Sequence, residues 1–210
     1  MRTIALLVSA SFFGLVCIVA NIGVAQQKDA VAESPRAPAQ VVGGTATLAP
    51  ENTRIQFVGT HNKKDPEPRT GVFTKFTGKA AVDAEKKALK SISFEIQTAS
   101  LETPIGKLTN HLRSPDFFDV RQYPTAKFES SSIKPGDSPD KFVVTGKLNL
   151  LKGSKELSIP VVVNVSDKGL NLISEFKIDR TDFGMSGLTD MVNKEVAMTV
   201  KIGSTSPAGK

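Results

Sequence analysis

The chain has 210 residues and a formal net charge of +6, with its basic and acidic residues interleaved rather than gathered into runs; this describes a solvated basic surface and lacks the basic stripe with interleaved aromatics that marks a nucleic-acid site. The single cysteine, Cys17, sits in the N-terminal apolar run, so a processed chain holds neither a disulfide nor a thiol nucleophile. His61 and His111 are the only histidines and form no His-x-x-x-His pair, while Asp116, Asp119, Asp179 and Asp182 stand where helix caps and turn residues stand, so no catalytic centre, metal site or cofactor is expected.

The N-terminus reads MRTIALLVSASFFGLVCIVANIGVAQQ: one charge at Arg2, an apolar run, then Gly23-Val24-Ala25. That order predicts a secretory signal over residues 1–25, and the apolar run is long enough to serve instead as an uncleaved anchor. The remainder is then periplasmic or secreted, or is held at a membrane and faces the periplasm. Residues 26–44, QQKDAVAESPRAPAQVVGG, carry little apolar bulk and predict a flexible linker, since they offer too little burial to offset the entropy of ordering.

From Thr45 the pattern changes to period two. Ile55, Phe57 and Gly59 alternate with polar neighbours, as do Ile92, Phe94 and Ile96. The alternation returns in Phe142 to Leu150, Leu157 to Val165, Leu170 to Ile178 and Val196 to Ile202, and the stretches Val72 to Gly78 and Ala126 to Ser132 bring the total to about eight strands. Turn chemistry separates them at Lys64-Asp65-Pro66, Lys134-Pro135-Gly136-Asp137, Leu151-Lys152-Gly153-Ser154 and Ser166-Asp167-Lys168-Gly169, and such short connections join antiparallel neighbours. The expected fold is all-β: a lipocalin-like closed antiparallel barrel over residues 45–203, with a tail at 204–210. A barrel is favoured over a sandwich because the chain has no Trp and one Tyr, while of its 12 phenylalanines all but Phe12 and Phe13 lie beyond the N-terminal segment. Phe fills an interior without a polar group to satisfy.

One connection breaks the pattern. Between the Phe94 and Phe128 strands, Thr103-Pro104 and Ser114-Pro115 each place a hydroxyl residue before a proline, which predicts two short helices within about residues 103–120. The first sets Ile105, Leu108 and Leu112 on one face; the second carries Phe117 and Phe118. An apolar helical insert of this kind has an open barrel end to cover, with its Leu and Phe side chains directed inward.

The run NHLRSPDFFDVRQYPTAKFESSSI, followed by VTGKLNLLKGSKELSIPVVV and FKIDRTDFGM and preceded by GVFTKFTGKAAVD and SISFEIQTASLET, resembles the YceI-like family of polyisoprenoid-binding proteins across roughly residues 46–203. The resemblance implies an exported lipocalin-like barrel whose apolar cavity holds a long-chain isoprenoid, a quinone or a similar amphiphilic lipid. Cavity residues are then expected at Phe57, Phe76, Phe94, Ile96, Phe128, Val144, Leu148, Val161, Val163 and Phe176 from strands, and at Leu108, Leu112, Phe117 and Phe118 from the insert. His111 and Arg113 stand as head-group contacts, or as bonds that fix the insert. The alternative is a structural or partner-binding barrel with a solidly packed interior. A homodimer and transient contact with a membrane surface both remain open.

Overall fold

The computed structural model describes residues 36–204. The chain divides into Met1–Ala32 and Glu33–Lys210. The expected signal or anchor, residues 26–35 of the expected linker and residues 205–210 of the tail all lie outside the described residues.

Among the described residues there are twelve antiparallel strands, most of them formed by the period-two stretches: β1 (Val41–Val42), β2 (Thr45–Leu48), β3 (Thr53–Thr60), β4 (Pro68–Phe73), β5 (Phe76–Asp83), β6 (Ala88–Gln97), β7 (Leu101–Glu102), β8 (Thr125–Pro135), β9 (Lys141–Leu150), β10 (Gly153–Ser166), β11 (Gly169–Asp179) and β12 (Glu195–Ile202). The excess of four over eight has a simple origin, because three long strands are bent at corners and β1 is a two-residue strand added alongside β2. β2 and β3 both lie against the path made by β4 and β5, β2 pairing with β5 and β3 with β4. That path in turn lies against β6 and β7, and the ladder is carried round the corner by Gln97 N–H donating to Lys75 O at 3.0 Å and Thr74 N–H to Ser100 O at 3.1 Å. Followed through these corners, the pairing continues through β8, β9, β10, β11 and β12 and returns to β3. The result is a curled antiparallel barrel of eight paths, which leaves little unpaired edge.

The turns are as short as the sequence suggests. Leu151-Lys152 alone joins β9 to β10, with Leu151 at a φ of 49°, and Asp167-Lys168 joins β10 to β11. At the end of the barrel that carries the β10–β11 turn and the connection of residues 136–140 between β8 and β9, the interior is solid: Leu48, Leu170 and Ile202 are fully buried, with Val163 and Val165 packed beside them.

Two expectations are corrected here. The described part of the 26–44 linker belongs to the barrel: Ala39 is fully buried and exchanges backbone hydrogen bonds with Leu170 at 3.0 and 2.8 Å, and β1 pairs with β2. Backbone pairing does for this segment what its small side chains do not. The insert holds one helix, α1 (Gly106–Arg113), rather than two. Thr103 does not cap it; Ile105 is the N-cap, and the Thr103 hydroxyl instead donates to Ile105 O at 2.9 Å. At the other end Pro115 holds Ser114 in extended geometry (ψ 170°), which ends the helix. Residues 115–118 then form turns, in which Phe117 N–H and Asp119 N–H both donate to Ser114 O.

Candidate functional site

Barrel strands direct alternate side chains inward, and in this chain three of the inner rings lie over glycines. A Cβ on Gly71 would overlap the Phe57 ring, 2.7 Å from Cε1 and 2.8 Å from Cε2. One on Gly78 would lie 2.7 Å from Cδ1 of Phe94, and one on Gly146 would lie 2.6 Å from Cζ of Phe128. Gly71 and Gly78 face Phe57 and Phe94 directly across the ladder. The missing side chains let the rings lie flat against the wall. A Phe-rich interior therefore keeps a lumen instead of filling it.

That lumen has two chambers. The first, about 90 Å³, lies mid-barrel and is lined by Phe94, Phe128, Val144, Val161 and Phe176, together with Ile55, Ile92, Leu157, Ile159, Leu172, Ser174 and Val200. The second, about 120 Å³, lies under the insert and is lined by Phe57, Phe73, Leu112, Phe117 and Phe118, with Gly59, Ala126, Leu150, Arg180, Met185, Val192 and Val196. Ile96, Leu148, Ile178 and Met198 line both. Each chamber has one polar side chain in its wall, and each is turned onto backbone carbonyls. Ser174 Oγ donates to Pro160 O at 2.7 Å. Arg180 Nη1 donates to Met185 O at 2.6 Å and Gly187 O at 2.8 Å, Nη2 to Val192 O at 3.0 Å, and Nε to Asn193 O at 3.1 Å. The lumen is therefore dry, since a water in it would lack the two to four polar partners it requires.

The second chamber has two covers, knitted together. Phe118 of the insert packs on Phe57 at 6.2 Å and on Phe73 at 5.8 Å between ring centroids, which places the insert over the barrel mouth. The loop of residues 184–194 forms the other cover, held by the four carbonyls on Arg180 and by Asn193 Nδ2 donating to Thr60 Oγ1 at 2.6 Å. The Arg180 guanidinium also lies 5.9 Å from the centre of the Phe117 ring, so one buried cation touches both covers. Burial pushes its pKa down and nearby Asp179 opposes that shift; an arginine nevertheless remains charged.

Of the residues expected in the cavity, Phe57, Phe94, Ile96, Leu112, Phe117, Phe118, Phe128, Val144, Leu148, Val161 and Phe176 line one chamber or both. Three lie elsewhere. Phe76 is buried against Phe94 at 6.2 Å, Val163 belongs to the packed end, and Leu108 is a partly buried residue of α1 outside both linings. His111 is exposed, within 3.1 Å of Asp116 Oδ2 through its Nε2, and edge-on to Phe117 at 5.1 Å. Arg113 Nη2 donates to Leu101 O at 2.8 Å, and its Nε has no hydrogen-bond partner among the described residues. Both contacts fix the insert. The strand residues that were missed, such as Ile159, Leu172 and Met198, carry the same period-two signal as those that were found. Arg180, Met185 and Val192 carried none, because nothing local ties a loop to the mouth of a barrel. Among the described residues no group of three or more His, Cys, Asp or Glu side chains is placed to hold a metal ion, and no helix is long and apolar enough to cross a membrane.

Comparison with known proteins places this architecture among relatives. A family profile described as the YceI-like domain matches residues 47–203. A UPF0312 protein of Photorhabdus laumondii is 36% identical over 99 residues, covering 47% of this chain and 48% of that one. One from Pseudomonas putida is 32% identical over 126 residues, covering 56% and 64%. The chain thus spans from about half to under two thirds of the length of these curated relatives. Among solved structures, Burkholderia cenocepacia BcnA superposes with a TM-score of 0.65 at 25% identity, over 73% of this chain and 96% of that one. A polyisoprenoid binding domain from Saccharophagus degradans superposes with a TM-score of 0.55 at 14% identity, over 76% and 98%; at that identity the likeness concerns the fold alone.

Proposed function

We propose that this chain, which belongs to the YceI-like family, is an exported binding protein that holds the tail of a long-chain isoprenoid or similar amphiphilic lipid inside its barrel, for carriage, storage or sequestration. The observation that carries this reading is the pair of dry apolar chambers sharing four wall residues. An unfilled cavity destabilises a protein by about 24 cal/mol per Å³, so a vacant second chamber alone costs about 3 kcal/mol. Domains are stable by only about 5–15 kcal/mol. Filling the space with tail recovers that cost and adds burial worth about 25 cal/mol per Å². The polar side chains of the wall are already bonded to backbone carbonyls, which favours a tail without heteroatoms and leaves a head group at the covered mouth.

Export is part of the reading and rests on the Arg2, apolar-run and Gly23-Val24-Ala25 order of the N-terminus. The polyisoprenoid named for the Saccharophagus domain supports the ligand class by analogy. The deciding experiment is solvent extraction of the purified protein followed by mass spectrometry, then addition of a ubiquinone to the delipidated protein. A lipid binding the native state alone adds about 2.7 kcal/mol at 100 times its dissociation constant. Absence of lipid in the extract, together with an unchanged melting temperature across several long-chain lipids, overturns the reading in favour of a ligand-free barrel.

A further inference from the structure

The geometry points to Met198 as a gate between the two chambers that sets how long a tail the barrel accepts. This rests on the lipid-binding reading above and adds to it a residue that selects chain length. Ile96, Leu148, Ile178 and Met198, from four different strands, border both chambers and so form the waist between them. Met198 marks the boundary a second time. It lies in one hydrogen-bonded row between Phe176, which lines only the mid-barrel chamber, and Phe57, which lines only the chamber under the insert. The packed end of the barrel closes the mid-barrel chamber from behind. A tail that comes in beneath the covers therefore fills the outer chamber first and has to pass the waist to go further.

The four waist residues differ in how readily they yield. Ile96 and Ile178 are branched at Cβ and held to restricted χ1 angles, and Leu148 is branched one carbon further out. Met198 is unbranched, with three rotatable bonds and a polarisable sulfur, and adapts to whatever lies beside it. Ile96, Leu148 and Met198 are all partly buried while Ile178 is buried, so it is side-chain flexibility that sets Met198 apart. Rotation of this one side chain joins the two chambers into a single channel, and its resting position keeps them apart.

The test is a chain-length series of geraniol, farnesol and geranylgeraniol titrated calorimetrically into delipidated protein, because a chain without Trp offers no indole fluorescence to follow. Each newly buried methylene is worth about fourfold in affinity, so the gain for each added isoprene unit reports whether that unit found space. In the wild type the gain per unit falls where the tail meets the waist. Met198→Ala removes that break and raises the gain of the unit beyond it by tenfold or more, whereas the stiff Met198→Ile abolishes that gain, each gain being taken relative to the next shorter alcohol in the same protein. A wild-type series without a break, or the same break in all three proteins, overturns the gate and leaves lipid binding standing. Failure of the wild type to bind any of the three alcohols overturns lipid binding and the gate with it. Thermal melts check folding, and should the alanine variant not fold, the isoleucine variant decides alone.

Discussion

Gly71→Ala tests whether flattened rings keep the lumen open. The Gly71 backbone suits any residue, since it is not among the positions with positive φ, and the atoms nearest a new Cβ all belong to the Phe57 ring. Only the ring therefore has to move. It cannot move outward through the ladder, and its neighbours Phe73, at 5.6 Å, and Phe118 confine it sideways, so the free space open to it is the chamber it lines. Overpacking of this kind costs about 1–3 kcal/mol, against which the alanine contributes about 0.4–1 kcal/mol by restricting the unfolded chain. The net loss is about 1–2 kcal/mol, seen as a fall of about 2–8 °C in melting temperature for a domain of this size. The ligand-induced rise in melting temperature should shrink as well. Phe57→Leu in the same chain gives the alanine room, so the two substitutions together should cost less than the sum of their separate costs. A Gly71→Ala protein that melts higher than wild type and takes up lipid undiminished would refute the argument.

Further perturbations address the covers and the barrel seam. Arg180→Leu strands the carbonyls of Met185, Gly187, Val192 and Asn193; at about 1–3 kcal/mol for a buried acceptor left unpaired, denaturant unfolding should show a loss of about 3 kcal/mol or more. Hydrogen exchange in residues 184–194 should rise with it. A chain that begins at Thr45 should melt below one that begins at Arg36, because it lacks the Ala39–Leu170 pairing and β1; equal melting temperatures would show that the segment adds nothing to stability. The Thr181 hydroxyl and backbone N–H hold the Asp179 carboxyl below its usual range, with burial opposing. A depressed folded value stabilises above the unfolded one, near 3.8, and that stabilisation is lost as pH falls through the depressed value. Asp179→Ala should therefore narrow its stability gap to wild type on acidification below that point, and a gap independent of pH would contradict a stabilising role for the two Thr181 hydrogen bonds.

The division between sequence and tertiary structure follows the range of the forces involved. Strand alternation, turn chemistry and the family motifs are local, and they established the all-β barrel, the position of the insert and most of the lining, because the period of two assigns each strand residue to a face. The family itself was legible in HLRSPDFFD and the phrases around it. Composition misled at residues 36–44, where burial comes from backbone pairing across the chain rather than from side chains. It misled again at Ser114-Pro115, whose proline ends a helix instead of starting one.

What the tertiary structure alone decided was the lumen. Phe57, Phe94 and Phe128 read equally well as plugs or as walls until Gly71, Gly78 and Gly146 are found beneath them. The bends between β4 and β5 and between β6 and β7, which close the barrel with eight paths, are set by pairing partners distant in sequence. So is the placing of Arg180, whose position in FKIDRTDFGM gives no hint that its guanidinium gathers four carbonyls over the mouth of the barrel. Sequence periodicity says which face a side chain is on. How much space remains between opposed faces depends on long-range register, and only the closed sheet fixes that.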